Sequence, residues 1–239
     1  SAASFGLEHE LPFLFRIHDT PSAEKIEGLE ESLSEIGFDI SELQKGVTPM
    51  ALSHILHRAR DSRYALIVNN SILRSMAKAR YSENNIGHFG LVLERYSHFT
   101  SPIRRYPDLL IHRIMSAYLT GMKRENIEKR YRSFVAEAAD KNSMQEVRAM
   151  NVERDCEDCY KAEYMKQFLG EEFDGMISSI APHGVYVELP NTVEGLIRME
   201  DMPEDNYDHQ SRVVLQNTAS GRTYTVGDPM RVKLVAADV

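Results

Sequence analysis

Apolar residues recur at spacings of three and four through Ile26, Leu29, Leu33 and Ile36, after Thr20 and Pro21 and before Gly37, which predicts an amphipathic helix. A second helix is predicted from Thr48-Pro49, turning Met50, Leu52, Ile55 and Leu56 toward a core. Tyr64 to Lys78 reads as a third helix or a mixed segment, and Phe89 to Glu94 reads as a strand. A further helix is predicted from Pro107 to Thr120 with Gly121 as its stop. A longer helical pattern from Ser143 to Leu169 carries Met144, Val147, Met150, Tyr160, Tyr164 and Phe168. After Gly170 the period shortens. Alternating runs such as Gly184-Val185-Tyr186-Val187-Glu188-Leu189, punctuated by Asn, Pro and Gly, predict strands joined by turns. The change of period predicts a domain boundary near residue 170, with a mainly helical part over 1–169 and a small all-β part over 170–239.

A chain of 239 residues with 42% hydrophobic content can bury one good core or two modest ones. No stretch approaches the roughly 18 apolar residues that a membrane crossing needs. The opening SAASFGLEHELPFLF has no basic leader and carries acids inside its apolar run. These features predict a cytoplasmic protein with no membrane partner. Cys156 and Cys159 would share one helix face, and two ligands do not make a zinc site. The formal net charge of -8 argues against nucleic-acid binding only until its distribution is read. Residues 171–239 hold five basic against twelve acidic residues, a net of -7, which leaves 23 against 24 in the front part. The front can therefore carry a positive channel, whereas the tail is a poor phosphate binder.

Residues 98–113 read HFTSPIRRYPDLLIHR, with Arg104, Arg105 and Arg113 placed between and beside His98 and His112. Guanidinium forks fit phosphate oxygens in shape as well as in charge. Pro102 pushes Ser101 toward extended geometry, and Pro107 sits where a helix can begin with Asp108 in its first turn, so Arg104 falls on the turn entering that helix. Free amides at the helix start would add a second attraction for a phosphate. Residue types alone leave two readings open: a phosphodiester site, or a solvated helix start in which Arg104 pairs with Asp108.

The stretch from Gly87 to Met115, GHFGLVLERYSHFTSPIRRYPDLLIHRIM, resembles the bacterial exoribonucleases of the RNase R and RNase II family, and RRYP favours the RNase R branch. The likeness extends upstream through LPFLFRIHDTPSAEKIEGLEESLSEIGF and downstream through ERDCEDCYKAEYM. From Phe173, FDGMISSIAPHGVYVELPNTVEGLIRMEDM is similar to the S1 RNA-binding domain. The resemblance implies an α+β fold: the mainly helical C-terminal part of an RNB catalytic domain, then an OB-fold barrel that would lack its closing strand. It implies a magnesium-dependent, processive 3′-to-5′ exoribonuclease that releases nucleoside 5′-monophosphates from the 3′ end of single-stranded RNA.

By position in the family's motifs, Arg104 is implied to contact the scissile phosphate and stabilise the transition state. Arg105 would hold an adjacent phosphate, while Ser101, Tyr106, His112, Arg113, Arg148, His18 and His98 would line the RNA path. Glu153, in NVERD, matches the position that meets the terminal sugar, where a carboxylate can accept from a ribose 2′-hydroxyl. In the S1-like part Tyr186 matches a stacking platform, His183 stands where phenylalanine is more frequent, and Arg198 where histidine is common. The family's clustered magnesium-binding aspartates have no match here. The chain is therefore expected to be part of a longer protein whose amino-terminal half holds the metal, to bind no metal itself and to be inactive alone. The alternative is a non-catalytic RNA-binding or protein-adaptor module.

Overall fold

The computed structural model describes residues 1–62, 64–208 and 211–238. In chain order the elements are α1 (Ala2–Glu8), β1 (Phe15–Ile17), α2 (Ala23–Glu35), α3 (Pro49–Ala59), α4 (Ala65–Ser75), β2 (Arg80–Ser82), α5 (Tyr106–Leu119) and α6 (Arg124–Met165). Seven strands follow: β3 (Glu172–Ala181), β4 (Gly184–Glu188), β5 (Glu194–Arg198), β6 (Tyr207–Asp208), β7 (Val214–Asn217), β8 (Thr223–Thr225) and β9 (Pro229–Lys233).

Local chemistry sets most boundaries. Thr48 Oγ1 accepts the Ala51 N–H at 3.1 Å to start α3, as its Thr-Pro pair predicts. The predicted onset of α2 moves to Ser22, because that hydroxyl, at 3.4 Å from the Lys25 nitrogen, is the one that caps the helix. Gly37 and Gly121 stop their helices at φ 68° and 89°. Two expectations are corrected. Phe89–Leu91 is a 3₁₀ turn followed by Val92 at φ 55°, and the strand lies instead at β2, paired antiparallel to β1. The reason is that imidazoles take the turn's backbone donors: Gly90 donates to His18 Nδ1 at 2.8 Å and Leu91 to His88 Nδ1 at 3.3 Å. The long helix begins at Arg124, not Ser143, because Ile127, Tyr131, Val135, Ala138 and Ala139 bury one face of its first turns.

Two compact units form, Ser1–Thr20 with Ala77–Arg154, and Pro21–Met76 with Asp155–Val239. The stretch expected as one front domain thus contributes to both. In the first unit Phe13, Leu14, Phe15, Ile17, Leu110, Ile111 and Ile114 make a core with the buried face of α6. At the polar edge of this core Arg16 Nη1 meets Glu146 Oε2 at 2.6 Å, and its guanidinium lies 4.7 Å from the Tyr81 ring centre. The Tyr81 hydroxyl bonds His98 Nδ1 at 2.9 Å. Burial, with the Arg105 and Arg16 charges, lowers His98 to a pKa of about 4. Burial, reinforced by Glu146, also raises the Tyr81 pKa.

In the second unit β5-β4-β3-β9 form one antiparallel sheet and β6-β7-β8 another. Their inward residues Ile177, Ile180, Val185, Val187 and Leu215 build a curled half-barrel core, into which α4 sends Ile67. β5 and β9 stand at the two edges of the larger sheet. Among the described residues no helix is long and apolar enough to cross a membrane.

A Cβ at Gly184 would collide with the Ile197 carbonyl oxygen, which the β4–β5 pairing cannot move. Gly184→Ala should lower the stability of the second unit by about 2 kcal/mol, read as a fall in the urea midpoint; an unchanged midpoint would show that the pairing yields. His98, at about 4 when folded against the usual 6.5, contributes stability that is complete above pH 6.5 and is lost as pH falls toward 4. Urea titrations at pH 7 and pH 5 should therefore show the first unit weakened by acid, and His98→Gln should flatten that dependence.

Candidate nucleic-acid interface

The loop entering α5 is built around one buried carboxylate. Asp108 is fully buried, and its Oδ2 accepts the Ser101 N–H at 2.8 Å, Arg105 Nη2 at 2.8 Å and Arg105 Nε at 3.2 Å. The Ser101 carbonyl in turn accepts the Arg105 N–H at 3.0 Å and the Arg104 N–H at 3.3 Å. Both ends of the Ser101 peptide unit are thus held, with rigid Pro102 between them and the apex. The apex residues are Ile103, whose side chain is fully exposed, and Arg104, also exposed. Among the described residues no acceptor engages the Arg104 guanidinium, so the pairing with Asp108 belongs to Arg105. α5 starts without a side-chain cap on its N-cap residue Arg105, and its dipole adds positive potential where the loop joins.

The other expected residues divide by their surroundings. Arg113, Arg148 and Glu153 are exposed, and no hydrogen bond or ion pair to another described residue holds their side chains. Tyr106, exposed, stands edge-on to Phe134 with ring centres 6.4 Å apart, an aromatic pair at the surface. Arg105 has only its Nη1 uncommitted. His112 is an internal strut: Nε2 bonds the Phe99 carbonyl at 2.8 Å, and the rings stack with centres 4.3 Å apart. His98 is half-buried under the loop and bonded to Tyr81. His18 corrects the expectation of a channel residue. It is buried, Nδ1 accepts from Gly90, and Nε2 donates to the Ala77 carbonyl at 2.7 Å, which commits both ring nitrogens and leaves no edge for RNA.

In the second unit His183 Nε2 bonds the Tyr186 hydroxyl at 2.8 Å, with the rings perpendicular. Tyr186 pairs across the sheet with Leu196, and Gly184 with Arg198, so Tyr186, Leu196 and Arg198 share one face. Arg198 Nη1 lies 3.5 Å from Glu200, which draws off part of its charge. Sequence reasoning missed Arg16, Tyr81 and Glu146, which support His98. The one available signal was a charged residue, Arg16, set between the apolar run Leu11-Pro12-Phe13-Leu14-Phe15 and Ile17. Among the described residues no three of His, Cys, Asp and Glu gather as they would to hold a metal ion.

A family model described as RNB domain matches residues 1–121, and one described as S1 RNA binding domain matches residues 166–239. The chain is 38% identical to ribonuclease R 1 of Lactococcus lactis over 231 residues, covering 96% of this chain and 28% of that protein. It is 35% identical to ribonuclease R of Escherichia coli over 253 residues, covering 100% of this chain and 30% of that protein. Mycoplasma genitalium RNase R, solved in complex with ribose methylated single-stranded RNA, superposes with a TM-score of 0.87 at 28% identity, covering 99% of this chain and 38% of that one. The chain thus spans under a third of the length of these two curated relatives. With the RNB model matching half of its residues and the S1 model most of the remainder, the chain belongs to the RNB family of ribonucleases, in which its relatives are ribonuclease R, and carries an S1 domain after its RNB segment.

Proposed function

We propose that this chain is the part of a processive, magnesium-dependent 3′-to-5′ exoribonuclease that supplies the phosphate-stabilising arginine, walls of the RNA path and an RNA-gripping S1 domain. The observation that carries this reading is Arg104, an exposed guanidinium without a protein acceptor among the described residues, on a loop whose backbone is held at both sides. A guanidinium carried on a held backbone meets negative charge growing on a phosphate oxygen without rearrangement of the main chain. Arg113 and Arg148 would attract neighbouring phosphates, and the Tyr106–Phe134 edge offers a base a ring to stack on. Glu153 would accept from a ribose 2′-hydroxyl near the RNA terminus. Magnesium is assigned to carboxylates outside these residues, and the protein to the cytoplasm. The relative solved with single-stranded RNA supports RNA as the ligand.

A second reading, a non-catalytic RNA-binding or adaptor module, draws on the twelve acidic against five basic residues of 171–239, which suit a basic protein better than a phosphate chain. One experiment separates the two. End-labelled RNA incubated with magnesium and this chain should stay intact, and should be degraded when the amino-terminal half is added. Degradation by the chain alone would overturn the assignment of the metal elsewhere, and inertness of the mixture would favour the adaptor.

In the complete enzyme Arg104→Ala should lower kcat by about 100- to 1000-fold with little change in RNA affinity, measured under single-turnover conditions. Weakened binding at unchanged turnover would refute its role. Arg148→Ala should instead weaken binding to every RNA sequence and reduce the slope of log affinity against log salt by about one, read from fluorescence anisotropy across a salt series.

A further inference from the structure

We propose that Asp108 and His112 form a two-point clamp that aims Arg104, which makes Asp108 a positioning residue and Arg105 a member of the clamp instead of a second phosphate ligand; this rests on the reading of Arg104 given above. The two residues lie four apart on α5 and therefore project from one helix face. Asp108 takes the Ser101 N–H, and His112 bonds the Phe99 carbonyl, so α5 grips the incoming chain at two alternate residues just before the apex. The helix itself cannot shift, because Leu110, Ile111 and Ile114 are completely buried in the core.

Arg105 completes the device. Its Nε and Nη2 both bond the single oxygen that holds Ser101, while its own backbone N–H bonds the Ser101 carbonyl. Ser101 and Arg105 are thereby closed into a ring through one carboxylate, and Ile103 and Arg104 are what the ring pushes outward. The Asp108 carboxylate is costly where it sits: it is fully buried, and its Oδ1 has no hydrogen-bond partner among the described residues. Burying a charge with one oxygen unsatisfied gains little stability, so its presence points to the geometry that the other oxygen enforces. A conservative variant is Asp108→Asn, in which the amide oxygen can keep the Ser101 N–H while the charge facing Arg105 is lost and an amide nitrogen replaces the unpartnered Oδ1.

The test uses the complete enzyme, with kcat and KM measured for Asp108→Ala, Asp108→Asn and Arg104→Ala in parallel, and amide exchange at Ser101 followed in each. Asp108→Ala is expected to lower kcat about 100-fold with KM within about threefold, because misplacing a reacting group by about 1 Å has that effect. Exchange at Ser101 should speed up in the same variant, and Asp108→Asn, which can keep the Ser101 bond but not the charge facing Arg105, should recover only part of both and leave kcat below wild type. If Arg104→Ala abolishes turnover while Asp108→Ala keeps wild-type kcat, the clamp is overturned and the role of Arg104 stands. If Arg104→Ala itself is silent, the role of Arg104 fails and the clamp with it. Should Asp108→Ala not fold by circular dichroism, Asp108→Asn decides: reduced kcat at an unchanged melting temperature supports positioning, and wild-type kcat overturns it.

Discussion

Asp108 carries its charge into a place that water does not reach, and three N–H donors converge on one of its oxygens. Everything at the candidate site depends on that convergence. A single ion pair to Arg105 would fix only a side chain, but the third donor is the backbone of Ser101, so the same charge fixes the course of the main chain. Of two adjacent arginines, Arg105 is committed to the buried carboxylate, while Arg104 is exposed with no protein acceptor among the described residues.

Support for the loop extends inward in layers. Beneath it lie His98 and Tyr81, joined hydroxyl to imidazole, then Arg16 on the Tyr81 ring, then Glu146 from α6. Each member is partly or wholly removed from solvent, and burial, with the guanidinium charges of Arg105 and Arg16, lowers the His98 pKa to about 4. Neutrality matters here, because a protonated ring would repel both arginines that frame the loop. His18 and His88 play a corresponding part just after β1, where their ring nitrogens accept the Gly90 and Leu91 N–H groups of the 3₁₀ turn.

The second unit follows a different logic. Its sheet residues satisfy one another, and its surface is acidic, with Arg231 drawn to Glu172 and Asp174 and Arg198 to Glu200. Cations engaged in this way hold less field for a phosphate backbone than the unengaged Arg104, Arg113 and Arg148 of the first unit. The sheet face that carries Tyr186 also carries Leu196 and Arg198, and ring stacking on such a face does not require net positive charge.

The sequence by itself determined the period of its elements, the helix stops at Gly37 and Gly121, the Thr48 cap and the passage from helix to strand around Gly170, because these depend on residues close together in the chain. It also singled out residues 98–113 through composition and through a family resemblance. Only the tertiary structure decided which arginine faces solvent, since Arg104 and Arg105 are alike in composition and differ in their distance from one buried oxygen. It alone turned Phe89–Leu91 into a turn, by bringing His18 from 72 residues away to accept the Gly90 N–H. It alone exposed Met144, Met150 and Tyr160 along α6, where helical spacing would suit a core face. Local propensity is set by neighbours in sequence, whereas burial, pairing and the direction of a charge are set by neighbours in space.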